Sequence, residues 1–232
     1  MGETPMHHLN EKCISGSPDQ DASAEETPQH LVSVRSFLMS ETKITLGQFK
    51  KFIKVKGRTD LLTEGFMHWD NTYGDNAPVH GVSWIDAQDF ISWLNEIDGG
   101  GFRLPSEAEW EYACRSGKHQ IYCGSDNPNE VAWHQNNSRG VRKNVAMLKP
   151  NSFGLFDMSG NEWEWVQDCW HENYLRAPED GTAWTDNCLY DGARVTRGGS
   201  FHNPLKLIRA SSRGWSLSQH KSIGFRVAKD RN

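Results

Sequence analysis

The stretch from residue 119 to residue 192 most constrains what this chain can fold into. It is dense in Asn, Asp, Gly and aromatic residues, and its apolar positions follow neither the helical nor the strand period. Irregular stretches of this length are uncommon in compact domains, so something other than regular backbone pairing must order it. Stacked tryptophans, a bound metal ion or a disulfide are the available means, and the chain has ten tryptophans.

Before this stretch, the sequence predicts three helices, each with its own capping residue. Thr45, Ser83 and Ser106 each precede a segment in which apolar residues recur at helical spacing. Glu109 follows Ser106 by three residues and completes a capping box. The glycines at 99–101 end the second helix.

Short strands are predicted on both sides of the helices and the irregular stretch. Leu31–Met39, Ala193–Arg197 and Gly224–Ala228 have the apolar character of strands. The first 30 residues, whose later part is rich in Ser, Asp, Glu and Pro, are expected to form a flexible, solvated arm. Residues 31–232 are then expected to form a single domain.

Charge argues against nucleic-acid binding, and hydropathy argues against a transmembrane segment. The net charge is −5 with both signs interspersed, which argues against nucleic-acid binding. No apolar run approaches the roughly 20 residues that a transmembrane helix needs. No charged start followed by an apolar segment marks a signal peptide at the first residues, and this leaves the location of the protein open.

Cysteines and histidines give no metal or redox motif. The five cysteines show no C-x-x-C spacing, and their odd number leaves at least one unpaired within the chain. Cys169 and Cys188 are a candidate pair for closing a loop in an oxidising compartment. The histidines form no H-x-x-H or H-x-x-x-H pair, so a zinc or iron site has little support.

Five short motifs occur in a fixed order along the chain. They are Pro78–Trp84, Arg103–Glu111, Asn151–Trp165, Arg197–Ser200 and Gly224–Val227. With these motifs, residues 30–230 resemble the sulfatase-modifying-factor (formylglycine-generating enzyme) family. The resemblance implies an α+β, C-type-lectin-like fold with two main helices around a small twisted antiparallel sheet and long irregular loops.

The third predicted helix carries three glutamates that invite an acid–base interpretation. Glu107 and Glu111 share one helix face, where carboxylates at this spacing are usually solvated. We expect Arg103 to pair with one of the glutamates on this helix.

The resemblance also implies where the enzymes of this family keep their working cysteine pair. That place is the segment between Arg197–Ser200 and Gly224–Arg226, and the last cysteine of this chain is Cys188. Cys114 and Cys123 lie elsewhere in the motif order and are poor substitutes. We therefore predict a protein that is not an enzyme and has no redox cofactor. The alternative is a sulfatase-maturation-type or other oxidase-like enzyme of the family, or its inactive paralogue.

The loop from Asp157 to Glu164 is a candidate calcium site. Asp157, Gly160 and Glu162 (the last two through their carbonyls) and Glu164 supply hard oxygens, and they match a calcium site of the family's enzymes. Such an ion would be structural. The alternative is that Asp157 and Asn161 cap turns and that Glu164 accepts a backbone hydrogen bond.

The segment of about residues 201–222 is the candidate ligand-binding surface. Arg209 and Arg213 match recurring family arginines and are expected to hold the segment through bidentate bonds, with Glu164 as a candidate partner. Ile208 is expected to point into the core. Apolar and aromatic residues in such an irregular segment suggest a contact surface. The predicted ligand-binding residues are Phe201, His202, Asn203, Leu205, Lys206, Leu207, Trp215, Leu217, Gln219, His220 and Lys221.

A segment in this position also resembles the variable cassette of the variable proteins of diversity-generating retroelements. In those proteins, adenine-directed mutagenesis rewrites selected codons of a C-terminal cassette on the same fold. The resemblance implies a protein or other macromolecular ligand and no nucleic acid. It also implies a location at the cell surface or outside the cell, with a lipid anchor in a full-length form; the cytoplasm is the alternative location.

Overall fold

The computed structural model describes the backbone of residues 12–15 and, with side chains except that of residue 62, residues 21–62 and 74–231. Residues 1–11 and 16–20 of the predicted arm lie outside the described residues, as do residues 63–73 and 232.

Within the described residues, four helices begin directly after their capping residues. They are α1 (Leu46–Lys56), α2 (Trp84–Asp98), α3 (Glu107–Arg115) and the short α4 (Pro128–Val131). The side chains of Thr45, Ser83 and Ser106 each accept a hydrogen bond from the backbone N–H three residues later. The three predicted helices and their caps are confirmed. Gly99 ends α2 in the left-handed conformation, with φ of 84°.

In the part of the chain that the structure describes, eleven short strands form four small sheets. The strands are β1 (Lys12–Ser15), β2 (His30–Ser33), β3 (Phe37–Met39), β4 (Phe102–Arg103), β5 (Ala132–Trp133), β6 (Ser159–Gly160), β7 (Trp163–Cys169), β8 (Arg194–Arg197), β9 (Arg213–Ser216), β10 (Ile223–Phe225) and β11 (Ala228–Asp230). The central sheet has the order β10-β7-β8-β9, and a second has the order β3-β11-β4. The remaining sheets are the pairs β1-β2 and β5-β6.

This architecture confirms the predicted α+β class, with three differences in the strands. β10 pairs with β7 in parallel, so the central sheet is mixed rather than wholly antiparallel. The predicted strand over residues 31–39 is interrupted: β2 pairs with β1, whereas β3 joins β11 in another sheet. The predicted strand over residues 224–228 is interrupted as well, because β10 ends at Phe225 in the central sheet and β11 begins at Ala228 in the second sheet.

The core lies on both sides of the central sheet in two apolar clusters. In the first, α1 and α2 pack through stacked and edge-on rings, with Phe49 and Phe90 meeting Phe225 of β10. In the second, Trp110 of α3 packs with Val166 of β7 and other buried residues. Buried aromatic rings of this size supply much of the hydrophobic stabilisation.

Two disulfides help to order the irregular stretch. Cys169 is bonded to Cys188, the pair indicated by the sequence, and Cys114 is bonded to Cys123, a pair that the sequence did not indicate. Tryptophan stacking contributes as well, because the ring of Trp184 stacks on that of His171 with ring centres 3.5 Å apart. Two of the three predicted means of ordering this stretch are therefore present.

The predicted arm is in part packed against the domain. β1 pairs with β2 in antiparallel register, and residues 24–26 form one turn of 3₁₀-helix. Glu26 is only 1% exposed. The prediction of a solvated arm is therefore wrong for Glu26, because a buried ion pair described below holds it, whereas Ala24 is exposed. None of the helices in the described ranges is long and apolar enough to cross a membrane.

Candidate ligand-binding surface

A tight glycine turn leads the chain from β8 into the candidate segment. Gly198 and Gly199 have φ of 93° and 71°, values that glycine adopts without strain. A Cβ atom at Gly199 would lie 2.5 Å from the carbonyl oxygen of Leu207, so the turn also packs directly against the segment. The fourth motif, Arg197–Ser200, therefore carries the chain from the end of β8 into this turn.

Arg209 ties the candidate segment to the N-terminal part of the chain. Its guanidinium forms a bidentate pair with Glu26, with distances of 2.9 Å and 2.5 Å. It also donates to the carbonyl of Asp21 at 3.0 Å and to that of Lys206 at 2.9 Å. Burial acts to raise the pKa of Glu26, but hydrogen bonds from Arg209 and Ser211 and the charge of Arg209 hold it below its usual value.

Arg213 makes the second link, to α3. It forms a bidentate pair with Glu107 at 2.7 Å and 2.9 Å and donates to the carbonyl of Glu25 at 2.8 Å. Although burial opposes ionisation, Arg213 and Arg197 hold the pKa of Glu107 below its usual value. The predicted bidentate bonds are confirmed for both arginines. The prediction that Glu164 is a partner of these arginines is wrong, because Glu164 forms its ion pairs with other residues.

The carboxylates of α3 are not solvated, contrary to the expectation from their spacing. Glu107 is 5% exposed and Glu111 is fully buried. Glu111 accepts a hydrogen bond at 2.7 Å from Arg197, the residue that opens the glycine turn. Arg103 pairs with Glu109, as expected for one of the glutamates of this helix. Buried arginine–carboxylate pairs therefore fix both the entry and the middle of the candidate segment.

Burial separates the candidate segment into an inner and an outer set. Residues 208–213 are all buried, and Ile208 points into the core as predicted. Seven of the predicted ligand-binding residues are exposed: His202, Lys206, Trp215, Leu217, Gln219, His220 and Lys221. The other four, Phe201, Asn203, Leu205 and Leu207, are partly buried.

Two of the partly buried residues have internal contacts. The side-chain oxygen of Asn203 accepts hydrogen bonds from the backbone N–H and hydroxyl of Ser200, at 2.9 Å and 2.6 Å, and so stabilises the turn. Leu205 packs against a small cluster that contains Tyr122 and Ile208. Both residues therefore support the segment, and each presents only part of its surface to solvent.

One group of these residues forms a histidine patch, consisting of the partly buried Phe201 and the exposed His202, His220 and Lys221. Arg142 lies beside them, because it donates to the carbonyl of Lys221 at 2.9 Å and lies 5.5 Å from the ring of Phe201. Burial and the neighbouring charges of His220, Lys221 and Arg142 lower the pKa of His202. This lowering favours the neutral imidazole of His202 near neutral pH.

The other group forms an aromatic patch around Trp215, which is 44% exposed. Tyr190 stacks on Trp215 with ring centres 5.0 Å apart, and Trp170 lies 6.3 Å from it. Lys206 and Leu207 line the same cavity as Trp215. The sequence did not indicate that Trp170 and Tyr190 belong to this surface, because no periodicity relates them to Trp215.

The candidate calcium site contains two cationic side chains. Lys43 Nζ donates to the carbonyl of Asp157 at 2.7 Å and contacts the carboxylate of Glu164. Arg226 donates to both oxygens of Glu164, at 2.6 Å and 3.0 Å, and Trp110 Nε1 donates to one of them at 2.9 Å. Each oxygen of Glu164 thus accepts two hydrogen bonds. Burial acts to raise the pKa of Glu164, but the charges and hydrogen bonds of Arg226 and Lys43 hold it below its usual value.

Lys43 lies against two residues of the predicted calcium site. Its ammonium group bonds the carbonyl of Asp157 and the carboxylate of Glu164. The carboxylate of Glu162 is engaged by Arg142 at 2.5 Å. Across residues 21–62 and 74–231, no group of three or more His, Cys, Asp or Glu side chains has the arrangement of a metal site. The calcium site from Asp157, Gly160, Glu162 and Glu164 stays a prediction, and Lys43 and Arg226 are the cations that already neutralise this loop.

Comparison with known proteins places the chain in a family. Residues 11–231 match the family model described as the sulfatase-modifying factor enzyme 1-like domain. The chain belongs to this family. A formylglycine-generating enzyme of Streptomyces coelicolor is 29% identical over 264 aligned positions, which cover 88% of this chain and 82% of that enzyme.

Solved structures confirm the predicted fold. PvdO from Pseudomonas aeruginosa is similar with a TM-score of 0.82 and 27% identity, over 95% of this chain and 92% of that one. Treponema denticola variable protein 1 is similar with a TM-score of 0.77, over 99% of this chain and 95% of that one. Its identity of 20% makes this a likeness of fold alone. The resemblance in fold to a variable protein, predicted from the motifs, is nevertheless confirmed.

Proposed function

We propose that this protein is a non-catalytic ligand-binding protein whose exposed C-terminal side chains, within about residues 201–222, contact a protein or other macromolecule. The observation that carries the proposal is the separation of roles along this segment. Buried arginines and small residues at 208–213 fix its backbone, whereas side chains of varied chemistry project on both sides of them. A fixed backbone with variable side chains is the arrangement that the variable proteins of diversity-generating retroelements use.

The state of the cysteines favours binding over the enzymatic alternative. The tail contains no thiol after Cys188, and Cys114 and Cys123 are buried and bonded to each other. Oxidation of a substrate cysteine requires enzyme thiols that can cycle or hold a metal. We infer that the tail has been adapted to recognition, without a redox cofactor.

The disulfides also support the proposed location. Bonds such as Cys114–Cys123 and Cys169–Cys188 persist in oxidising compartments. We therefore propose a location at the cell surface or outside the cell, with a lipid anchor on a full-length form as the means of attachment.

The genome of the source organism provides a first test. We expect a near-copy of the codons for about residues 197–226 close to a reverse transcriptase gene, with differences confined to positions that are adenines in the copy. A complete genome with neither the copy nor the reverse transcriptase would refute the diversified form of the proposal.

An activity assay separates binding from the enzymatic alternative. The purified protein is incubated with a cysteine-containing sulfatase peptide, with copper or calcium added, and mass spectrometry follows conversion of cysteine to formylglycine. The family enzyme from Streptomyces coelicolor serves as the positive control. We expect no turnover here, and measurable turnover would favour the enzymatic alternative.

A further inference from the structure

The histidine patch joins the two ends of the candidate segment. Nδ1 of His202 lies 3.3 Å from Oγ of Ser200 and 3.5 Å from Oγ of Ser222. Both serines are buried, whereas His202 is exposed. The rings of Phe201 and His202 meet edge to face, with centres 4.9 Å apart. These contacts fix the orientation of an imidazole that solvent can reach.

The charged groups around this patch leave a positive excess. Arg142 pairs with the buried carboxylate of Glu162 and donates to the carbonyl of Lys221 at 2.9 Å, so its charge is balanced. The ammonium group of Lys221 pairs with no carboxylate in the ranges that the structure describes. Burial and the charges of His220, Lys221 and Arg142 lower the pKa of His202, and no carboxylate of the described residues counteracts them. The patch therefore has the charge that attracts an anion.

Nε2 of His202 is the nitrogen that a ligand can use. The hydroxyl of Ser200 donates to Oδ1 of Asn203 at 2.6 Å, so its oxygen is left to accept from Nδ1 of His202. The proton of the neutral imidazole therefore lies on Nδ1. Nε2, which has no hydrogen-bond partner among the described residues, gains the second proton when the ring becomes cationic. Protonated His202 can thus donate one charge-assisted hydrogen bond to an anion.

His220 and Lys221 supply two further donors. Nδ1 of His220 accepts the backbone N–H of Ser222 at 3.3 Å, so the proton of the neutral ring lies on Nε2. Nε2 of His220 is therefore a donor at neutral pH, and Nζ of Lys221 is a cationic donor. Neither atom has a hydrogen-bond partner in the described part of the chain, and both side chains are exposed. Together with His202, they give the patch three nitrogen donors for an anion.

We propose that the histidine patch binds the carboxylate of an aspartate or glutamate side chain of a protein ligand, through His202, His220 and Lys221. Ionised carboxylates only accept hydrogen bonds, so a patch with three N–H donors is complementary to them. Glu162 and the carbonyl of Lys221 engage the guanidinium of Arg142, so the patch does not offer the bidentate arginine contact that is typical of phosphate sites. The proposal rests on the proposed function, because it names the chemistry that one part of the C-terminal surface recognises.

The test uses a small probe, its neutral isostere and a competing anion. N-acetyl-glutamate amide is titrated into the full chain at constant ionic strength while NMR follows the imidazole signals, and His202→Gln identifies the signal of His202. N-acetyl-glutamine amide and inorganic phosphate are titrated in parallel. We expect saturable shifts of the His202 signal with the glutamate probe and at least about threefold weaker binding of the glutamine probe. Equal binding of these two probes, no shift with either, or tighter binding of phosphate overturns the proposal.

Proton uptake provides a readout that a merely structural role of His202 would not move. A carboxylate prefers the protonated ring, so its binding raises the pKa of His202 and strengthens as the pH falls from about 8 to about 6. The probe stays ionised over this range, because the pKa of a glutamate side chain is about 4.3. Lys221 and Arg142 keep their charges, and His220 is the other group acting on His202 that titrates in this range. We expect His202→Gln to lose most of this pH dependence, whereas equal wild-type affinity at both pH values contradicts the proposal.

Lysine variants test the charge without altering the imidazoles. Lys221→Met should weaken binding of the glutamate probe about two- to fivefold, as expected for an exposed charge pair. Lys54→Met is the matched control, because it removes an exposed lysine of α1, and it should bind the probe as wild type does. Both variants should unfold at nearly the wild-type temperature, since both side chains are exposed. Unchanged binding by Lys221→Met, or equal weakening by Lys54→Met, contradicts the proposal.

Failure of this proposal is distinguishable from failure of the proposed function. If the genome carries the template copy while the glutamate probe does not bind, only the carboxylate site is refuted. If the probe binds while the copy is absent, the carboxylate site stands and the diversified form of the proposed function is refuted.

Discussion

The buried cluster around Lys43 gives the sharpest prediction about stability. Replacing Lys43 with Met keeps much of the side-chain volume but removes the ammonium group bound to Glu164 and to the carbonyl of Asp157. Breaking a buried ion pair costs about 3–5 kcal/mol, because the other charge stays buried. Arg226 still bonds both oxygens of Glu164 in the variant. We therefore expect a loss at the lower end of this range, about 3 kcal/mol.

Urea and thermal unfolding measure this loss. For a chain of this size, a loss of about 3 kcal/mol lowers the midpoint of thermal unfolding by about 6–12 °C. Lys50→Met is the matched control, because Lys50 pairs with Asp75 at the surface, where their side chains are 40% and 72% exposed. The control should lose at most about 1 kcal/mol. If Lys43→Met loses no more than the control, Lys43 is not the counter-cation of this loop.

Calcium addition is a second test of the position of Lys43 in the predicted calcium site. A ligand that binds only the folded state raises stability by mass action. Since Lys43 already bonds the oxygens in question, we expect the wild-type unfolding midpoint to be equal in millimolar calcium and in a chelator. A midpoint that rises with calcium would contradict the placement of Lys43 in this site.

Three further predictions concern the walls of the surface and its disulfides. Arg209→Met should release the segment at 21–26, so that a glutamate-specific protease cuts after Glu26 at least about tenfold faster. An unchanged rate of cleavage would show that the pair of Arg209 and Glu26 does not hold this segment. The folded-state pKa of Glu26 lies below 4.5, so its contribution is present above about pH 4.5 and is lost as the pH falls through the folded value. Wild type should therefore lose more stability than Arg209→Met on acidification below that pH, and parallel pH profiles would refute this. Replacing both Cys169 and Cys188 with Ser should lower the free energy of unfolding by about 3 kcal/mol, as chain entropy predicts for a loop of this length. An unchanged free energy of unfolding in urea would argue against the disulfide.

The helices could be predicted because a cap and an apolar face act within a few residues. Thr45, Ser83 and Ser106 each bond a backbone N–H three residues away, and this distance is visible in the sequence. The turn at Arg197–Ser200 could be predicted for a similar reason, since its glycines adopt positive φ locally.

The ion pairs could not be assigned in this way. Lys43 is 121 residues from Glu164, and Glu26 is 183 residues from Arg209. Which charges meet at such separations depends on the whole topology, and local sequence patterns do not encode it. This is why the motif of the calcium site was recognised while the lysine that occupies it was missed.

The part of the candidate surface within about residues 201–222 was predicted from the sequence, but the residues that pack around it were not. Trp215 was identified because an aromatic residue in an irregular polar segment is unusual. Trp170 and Tyr190 reach it from the far end of β7 and from the loop before β8. Residues of the N-terminal segment at 21–26, which composition alone suggested was solvated, line the same cavity as Trp215.

Deep sequencing of the codons for residues 197–226 across a population of the source organism tests the central claim most directly. The account predicts many amino acids at the exposed positions, such as 202, 206, 215 and 220, and a constant residue at Arg209 and Arg213, whose buried bonds hold the segment. Invariant exposed positions, or substitutions spread equally over the two buried arginines, would contradict it.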